Sequence, residues 1–286
     1  MNYAALIQNR KSVRAFRDIQ VPEKLLEQIT EYYQKSARHL IPEIATELRI
    51  FGTGARDALE GAAGYHKFLV GAPRYLVLLS GDHPHAGLNA GFLMEDLVLK
   101  LGDLQLDSCW VTFVDSDEIK KALDIRSDLH VAAIVAFGYG QKTTRRLRLN
   151  IRSMSDIDVI AKRHFFEPKR SVMGLVHKDA WGKHDGLNEA IGFYDDMLWE
   201  AFYAASLAPS YLNRQAYGFL LNWGQVTLVS TPDDFNTVID SALSLGIVMH
   251  HFTVVAESFA GKIQWTFDPE GLDLPAGHKA IASAAL

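Results

Sequence analysis

The chain has 286 residues, of which 48% are hydrophobic and 22% charged, with one cysteine and a formal net charge of −5. This composition excludes a disordered chain and suffices for two cores or one large bilobed core, while the negative charge argues against a nucleic-acid-binding protein, which needs a broad basic surface. One cysteine permits neither an intrachain disulfide nor a cysteine-based metal cage, no apolar run approaches the roughly 20 residues of a membrane helix, and the N-terminus lacks a signal-peptide pattern, so we expect a cytoplasmic protein.

The first half of the chain predicts alternating helices and strands. From Pro22, apolar residues recur at helical spacing, and the proline falls in the first turn, where its missing N–H is harmless. Short apolar runs bounded by turn residues predict strands at 72–81, 107–115 and 130–140, with a long helix at 89–105. This order is typical of one layered α/β unit.

A basic stretch follows at 141–185, and its weak periodicity indicates a connector. Beyond it the pattern of helices and strands returns. Helices are predicted at 187–209 and 245–259, and strands at 216–223, 225–231 and 262–267.

Two stretches of the chain are similar without any gap. At a constant offset of 155 residues, Gly91 matches Gly246, Met94 matches Met249 and Trp110 matches Trp265. Partial agreement between two amphipathic helices also arises by chance. Because each copy places a long helix before a strand at a tryptophan, the sequence predicts a duplicated fold with halves at 1–165 and 166–286.

The stretch Asn9–Phe16, "NRKSVRAF", gathers three cations and a hydroxyl within five residues. Arg10, Lys11 and Arg14, with the Ser12 hydroxyl, are able to surround a phosphate, because guanidinium groups offer a fixed fork of donors. The alternative is a solvated basic helix end, which is what most runs of lysine and arginine are.

A second polar motif, "LAPSYLNRQAY" at 207–217, follows a predicted helix. Pro209 ends that helix, and Ser210, Asn213 and Gln215 place hydroxyl and amide groups in the next few residues. Such groups suit the edge of a heterocycle such as a flavin, where each must supply a donor or acceptor.

These motifs resemble those of the nitroreductase-like flavoproteins. "NRKSVRAF" followed by "VPEKLLEQI" is similar to the family's N-terminal Arg-x-Ser-x-Arg signature, and "LAPSYLNRQ" to its Ala-Pro-Ser-x-x-Asn-x-Gln segment. "LQLDSCWVTFVD" and "VAAIVAFGYG" resemble its Ser-Cys-Trp strand and its Gly-Tyr-Pro strand end, although Gly140 replaces the usual proline. The resemblance implies an α+β fold, with a mixed sheet flanked by helices.

The chain departs from that family in how its motifs are distributed. The first half lacks the Pro-Ser-x-x-Asn segment, and the second keeps only a remnant of the basic motif, "KRSVM" at 169–173. In the family the flavin lies at the interface between two subunits. The resemblance therefore implies an intrachain pseudo-dimer, in which one monomeric chain contains both halves of the usual dimer. It also implies one working flavin site per chain.

The cofactor implied by the resemblance is FMN. The phosphate and the pyrimidine edge of the flavin ring would be held by the basic motif, Arg10, Lys11, Ser12 and Arg14. The edge of the ring at N5 and O4 would lie beside the backbone of Trp110, Val111, Thr112 and Phe113. Further phosphate charge would come from Arg145, Arg146, Arg148 or Arg152, among which the sequence does not choose. The second half would contribute Pro209, Ser210, Tyr211, Asn213 and Gln215.

The implied reaction is a two-step hydride transfer from NAD(P)H to a nitroaromatic, quinone or enone acceptor. Because the flavin does the chemistry, no catalytic side chain and no metal is predicted. The alternative is a flavin-binding sensor or carrier without turnover.

Four residues outside these motifs also carry predictions. Cys109 is expected to be a small buried apolar residue rather than a nucleophile. His250 and His251 are adjacent on a helix, so we expect one inside and one at the surface or the domain boundary. Trp223 is expected to be a packing residue, with a position near the face of the flavin ring as the alternative.

Overall fold

The computed structural model forms two compact units. Unit 1 comprises Met1 and Asn9–Glu167, and unit 2 comprises Asn2–Gln8 and Pro168–Leu286. The structure describes residues 1–66, 68–141, 145–153, 156–163, 168–192 and 197–286, and between 145 and 163 it describes the backbone only.

Helices and strands alternate in both units. In the described ranges the helices are α1 (Tyr3–Asn9), α2 (Glu23–Lys35), α3 (Gly54–Leu59), α4 (Ala86–Asp103), α5 (Ser116–Ala122), α6 (Val172–Leu175), α7 (Leu187–Gly192), α8 (Met197–Ser206) and α9 (Val238–Ala256). The strands there are β1 (Thr46–Phe51), β2 (Arg74–Ser80), β3 (Asp107–Val111), β4 (His130–Gly138), β5 (Arg145–Ser153), β6 (Asp156–Arg163), β7 (Val176–Lys178), β8 (Tyr217–Asn222), β9 (Gln225–Ser230), β10 (Trp265–Phe267) and β11 (Lys279–Ala285).

Unit 1 is built on a sheet of four antiparallel strands in the order β1-β2-β4-β3. Its central strand β2 is apolar and almost wholly buried, as a strand covered on both faces must be. Tyr75 of β2 is fully buried, and its hydroxyl donates to the carbonyl of Val70 at 2.8 Å. The helix α4 packs against β2, β3 and β4.

Unit 2 repeats this order in its own sheet. Four antiparallel strands run β10-β11-β9-β8, and a short fifth strand, β7, pairs in parallel with β8. The long helix α9 and the strand β10 stand in unit 2 where α4 and β3 stand in unit 1. The mixed α+β architecture is thus confirmed, and the shared strand order supports the predicted duplication.

Matching residues of the long helices hold matching loops. In unit 1 the Asn89 side-chain oxygen accepts from the backbone N–H of Leu40 at 3.1 Å, in the loop after α2. In unit 2 the Ser244 hydroxyl, 155 residues further on, accepts from the N–H of Tyr211 at 3.1 Å, in the loop after α8. In each unit the long helix thus binds a loop through a residue at the offset that the sequence suggested.

The predicted connector contains regular structure. Residues 145–153 and 156–163 form the antiparallel hairpin β5–β6, two strands that the prediction of a connector did not include. Alternation of charged and apolar residues, as in "RRLRLNIR", was the missed signal. The single helix predicted at 187–209 is described as α7 and α8, and β1 and β11 were not predicted.

The N-terminal segment packs with the second unit. Residues Asn2–Gln8 belong to unit 2, where the Tyr3 ring meets the His250 ring edge-on at 5.8 Å between centroids. Ile7 is buried as well. No periodicity within so short a helix indicates which unit it joins.

The helix α9 is buried on all sides. His250 and His251 are both fully buried, so the surface position predicted for one of them is wrong, and the alternative of the domain boundary stays a prediction. The His251 Nδ1 lies 3.0 Å from the carbonyl of Ala204. By length and composition, α9 is the one helix in the described ranges that passes the test for a membrane span, contrary to expectation, but a buried core helix passes it too. Here 78% of the tested window is buried inside the protein.

Candidate functional site

The basic motif of unit 1 lies in extended backbone next to the ends of β3 and β4. Ser12 forms a parallel bridge with Ser108, and the Val13 N–H donates to the Ser108 carbonyl at 2.9 Å. Further along, Phe16 bridges Gly140 in antiparallel fashion. The motif is therefore fixed to the sheet at two points, and its side chains project from a rigid support.

Gly140 explains one departure from the family pattern. Its N–H donates to the Asp107 carboxylate at 2.9 Å, a bond that the usual proline would lack. A Cβ placed on Gly140 would lie 2.6 Å from Asp107 Oδ2 and 3.0 Å from Val13 Cγ1. The glycine thus lets the motif approach the strand ends closely.

Most polar side chains of the motif form no hydrogen bond or ion pair with the described residues. Lys11, Ser12 and Arg14 form no ion pair or side-chain hydrogen bond with any other residue that the structure describes. Lys11 is exposed, and Ser12 and Arg14 are partly buried. Such a set of unspent cationic and hydroxyl donors fits a phosphate group.

Arg10 differs from the other cations because a buried acid faces it. Its Nε lies 3.7 Å from Oε1 of Glu95, whose side chain is fully buried. That Nε is buried and has no hydrogen-bond acceptor among the described residues. Oε2 of Glu95 accepts from the indole Nε1 of Trp110 at 2.9 Å, so one carboxylate joins the motif to β3.

The predicted backbone at 110–113 continues from β3. Thr112 accepts from the Gly64 N–H at 2.7 Å, and Phe113 bridges Ala63. The preceding Cys109 is buried, as predicted, and burial raises the pKa of its thiol although Arg14 and Arg10 act in the opposite direction. This thiol is therefore a packing group at neutral pH.

The polar motif of unit 2 has a strained backbone. Leu212, Asn213 and Gln215 all have positive φ, at 48°, 58° and 47°, within a loop that includes a single 3-10 turn at Tyr211–Asn213. Asparagine tolerates this region, but a bulky leucine does not. Strain of this kind persists only where surrounding contacts enforce it, and it clusters at functional sites.

Several hydrogen bonds hold this loop in place. The Ser210 hydroxyl accepts from the Gln215 N–H at 3.0 Å, and the Asn213 amide donates to the carbonyl of Pro168 at 2.9 Å. Pro209 is buried, whereas Ser210, Tyr211 and Asn213 are partly exposed. The latter three are the predicted residues that remain accessible.

Gln215 has a buried side chain. Its Nε2 donates to the Ser206 carbonyl at 2.8 Å, and its Oε1 accepts from the Arg170 N–H at 2.8 Å. Both ends of the amide are committed to protein, so here Gln215 shapes the loop. Burial also raises the pKa of the neighbouring Tyr217 to about 12, so that phenol stays neutral.

The cations of the remnant motif in unit 2 donate hydrogen bonds to backbone carbonyls. Lys169 Nζ donates to the Ala208 carbonyl at 2.8 Å, and the Arg170 guanidinium donates to the carbonyls of Gly174, Gln215 and Tyr217. Ser171 caps the short helix α6. Lys169 and Arg170 thus hold the loop at 207–217 through its backbone and Gln215, and these donors are not available to an anion.

Some predicted contacts fall outside what the structure describes. The side chains of Arg145, Arg146, Arg148 and Arg152 belong to the backbone-only part of the chain. A cavity of about 440 Å³ in unit 1, lined by α2, β1 and Arg74, includes none of the predicted residues.

Sequence reasoning missed two residues of these sites. Glu95 and the neighbouring Asp96 are charged residues in the middle of a helix whose other residues there are apolar, and that contrast was the available signal. Arg170 was visible only as part of a degraded motif. Trp223 was predicted to be a packing residue, but it is 87% exposed at the turn between β8 and β9, so that prediction was wrong.

Comparison with known proteins agrees with these features. A family model described as "Putative TM nitroreductase" matches residues 2–173, which is more than half of the chain. No curated protein matches the sequence significantly.

One solved structure shares the fold over the whole chain, and two others match about half of it. A "putative nitroreductase" from Thermotoga maritima matches with a TM-score of 0.60 and 18% identity, covering 100% of this chain and 94% of that one. A nitroreductase family protein from Clostridium novyi covers 50% of this chain and 87% of its own, at 20% identity and a TM-score of 0.44. An FMN-dependent nitroreductase from Clostridium difficile covers 48% and 87%, at 18% identity and a TM-score of 0.39.

Proposed function

The chain belongs to the nitroreductase family whose model matches residues 2–173, and we propose that it is an FMN-dependent NAD(P)H oxidoreductase. Its electron acceptor in this proposal is a nitroaromatic, quinone or enone. Family membership supports the oxidoreductase class, and the motif residues support the choice of a phosphorylated flavin.

The observation that carries the proposal is the contrast between the two basic motifs. In unit 1, the side chains of Lys11, Ser12 and Arg14 form no ion pair or hydrogen bond with the described residues. In unit 2, Lys169 and Arg170 donate to backbone carbonyls. Unpaired cations held close together repel one another and are stabilised by an anion. The intact motif therefore fits the phosphate of FMN, and the remnant does not.

When bound, FMN would supply the hydride chemistry of the reaction. The cations of unit 1 would hold the phosphate and stabilise negative charge on the pyrimidine edge, because preorganised donors favour charge that develops during a reaction. The backbone at 110–113 would offer main-chain groups to the ring. Ser210, Tyr211 and Asn213 would supply neutral donors and acceptors that orient the ring and exclude water.

The proposal includes a stoichiometry of one FMN per chain. The sequence contains one intact basic motif and one Pro-Ser-x-x-Asn segment. A site that requires both can form once, and the committed donors of Lys169 and Arg170 support the loss of the second.

The proposal is tested by spectroscopy of the purified chain. We expect the absorbance of oxidised flavin after incubation with FMN and gel filtration, and rapid bleaching when NADH or NADPH is added without oxygen. A colourless protein that FMN does not restore would contradict the proposal. A yellow protein that neither nucleotide bleaches would instead indicate a flavin sensor or carrier.

A further inference from the structure

A buried carboxylate in unit 1 lies against the basic motif. The Glu95 side chain is fully buried within α4, where nearly every neighbouring residue of the helix is apolar. Burying a carboxylate is unfavourable unless charge or hydrogen bonds compensate for it. Its compensation includes the Trp110 indole at 2.9 Å and the Arg10 guanidinium at 3.7 Å.

The geometry suits charge balance more than hydrogen bonding. At 3.7 Å the Arg10 Nε is beyond hydrogen-bond distance from Glu95, so the contact acts through charge. The indole bond fixes the carboxylate in place. Arg10 is itself largely buried, with 12% of its side chain exposed, and charges in such surroundings are poorly screened.

The second repeat shows what replaces the acid when the motif is degraded. At the offset of 155 residues, the counterpart of Glu95 is His250 in α9, and it is equally buried. The Trp265 indole of unit 2 donates instead to the Thr253 hydroxyl at 2.9 Å. The carboxylate therefore accompanies the intact basic motif only.

We propose that Glu95 is a positioning residue that balances the charge of Arg10 and thereby sets how strongly the basic motif favours reduced over oxidised flavin. This inference rests on the proposed function. Reduced flavin carries negative charge at its pyrimidine edge, so a fully uncompensated cation cluster would bind it more tightly than the oxidised form. A fixed negative charge beside Arg10 reduces that preference.

The test is the midpoint potential of bound FMN in the Glu95→Gln variant. Glutamine keeps an acceptor for the Trp110 indole but removes the charge beside Arg10. We expect the affinity for reduced flavin relative to oxidised flavin to rise about tenfold, which raises the potential by about 30 mV for a two-electron couple.

Asp96→Asn is the matched control. Asp96 is the next residue of the same helix and is also fully buried, but its carboxylate accepts from the Tyr32 hydroxyl at 2.8 Å and the Arg38 N–H at 2.9 Å. We expect this variant to unfold more easily and to keep the unsubstituted potential to within about 10 mV, which is about twofold in relative affinity. A merely structural role for Glu95 would give the same pattern in both variants.

The outcomes separate this inference from the function on which it rests. Equal potentials in the Glu95→Gln and unsubstituted chains, with FMN bound to both, would overturn the inference alone. An equal rise in the Asp96→Asn variant would also overturn it. If the unsubstituted chain does not bind FMN, the proposed function fails and this inference with it.

Discussion

Arg170 donates two hydrogen bonds to Gln215. The Arg170 N–H donates to the Gln215 side-chain oxygen at 2.8 Å, and the Arg170 guanidinium donates to the Gln215 carbonyl at 3.3 Å. Residues that correspond in sequence to the basic motif of unit 1 thus hold a strained loop in unit 2.

Replacement of Arg170 by alanine should destabilise unit 2. The carbonyls of Gly174, Gln215 and Tyr217 would lose a charged donor, and we expect the free energy of unfolding to fall by about 2–3 kcal/mol. The measurement is urea unfolding at constant pH. Lys279→Ala in the same unit is the control, because its pair with Asp268 joins side chains that are 69% and 50% exposed and contributes less than about 1 kcal/mol. Equal losses in both variants would contradict the role assigned to Arg170.

Substitutions in either motif should weaken FMN binding. Arg14→Ala removes a cation that has no ion pair or side-chain hydrogen bond among the described residues. Asn213→Ala removes an amide from the loop at 207–217. We expect each substitution to lower the affinity for FMN about tenfold. Fluorescence titration of the apoprotein measures this. Arg17→Ala, at an exposed arginine over the Tyr139 ring, should leave the affinity unchanged. Normal affinity in the Asn213 variant would exclude a contribution of that loop to the flavin site.

Acidification should weaken unit 2 through His177. Burial, followed by the positive groups His184, Arg170 and His278, lowers the pKa of His177 to about 4, compared with about 6.5 in an unfolded chain. Between these values the unfolded chain binds the proton and the native chain does not. The contribution of His177 to the free energy of unfolding is therefore complete above about pH 6.5. It is lost as the pH falls towards 4, by at most about 1.4 kcal/mol per pH unit.

The variant His177→Asn tests this dependence. Asparagine keeps an acceptor for the Gly182 N–H, which now donates to His177 Nδ1 at 3.1 Å, but it does not titrate. We expect a flatter dependence of the unfolding free energy on pH between 6.5 and 4. His83→Asn, at an exposed histidine of unit 1, should leave the slope unchanged. An equal slope in the His177 variant and the unsubstituted chain would refute the assignment.

The sequence predicted the elements whose pattern is local. Pro22 marked the start of α2, and the apolar runs that became β2, β4, β8 and β9 were all identified. Features set by distant contacts were not predictable in this way. The edge strand β1 is partly buried throughout and lacks a clear alternation, and α9 is buried on every side, so adjacency of His250 and His251 said nothing about exposure.

The candidate site shows the same division. The motif residues were identified by type and spacing. Their hydrogen-bond partners were not predictable, because the carbonyls that accept from a side chain can lie far along the chain. Lys169 and Lys11 are similar as residues, yet Lys169 donates to Ala208, 39 residues away, and Lys11 is exposed. Gln215 likewise has the composition of a ligand-binding residue and the surroundings of a structural one.

Flavin content together with native mass tests the central claim most directly. The chain should be saturated with FMN, passed through gel filtration with mass detection, and assayed for flavin and protein in the same fractions. We predict one FMN per polypeptide in a particle with the mass of one chain, 31.9 kDa. Two flavins per chain, or flavin found only in particles of twice that mass, would contradict the account.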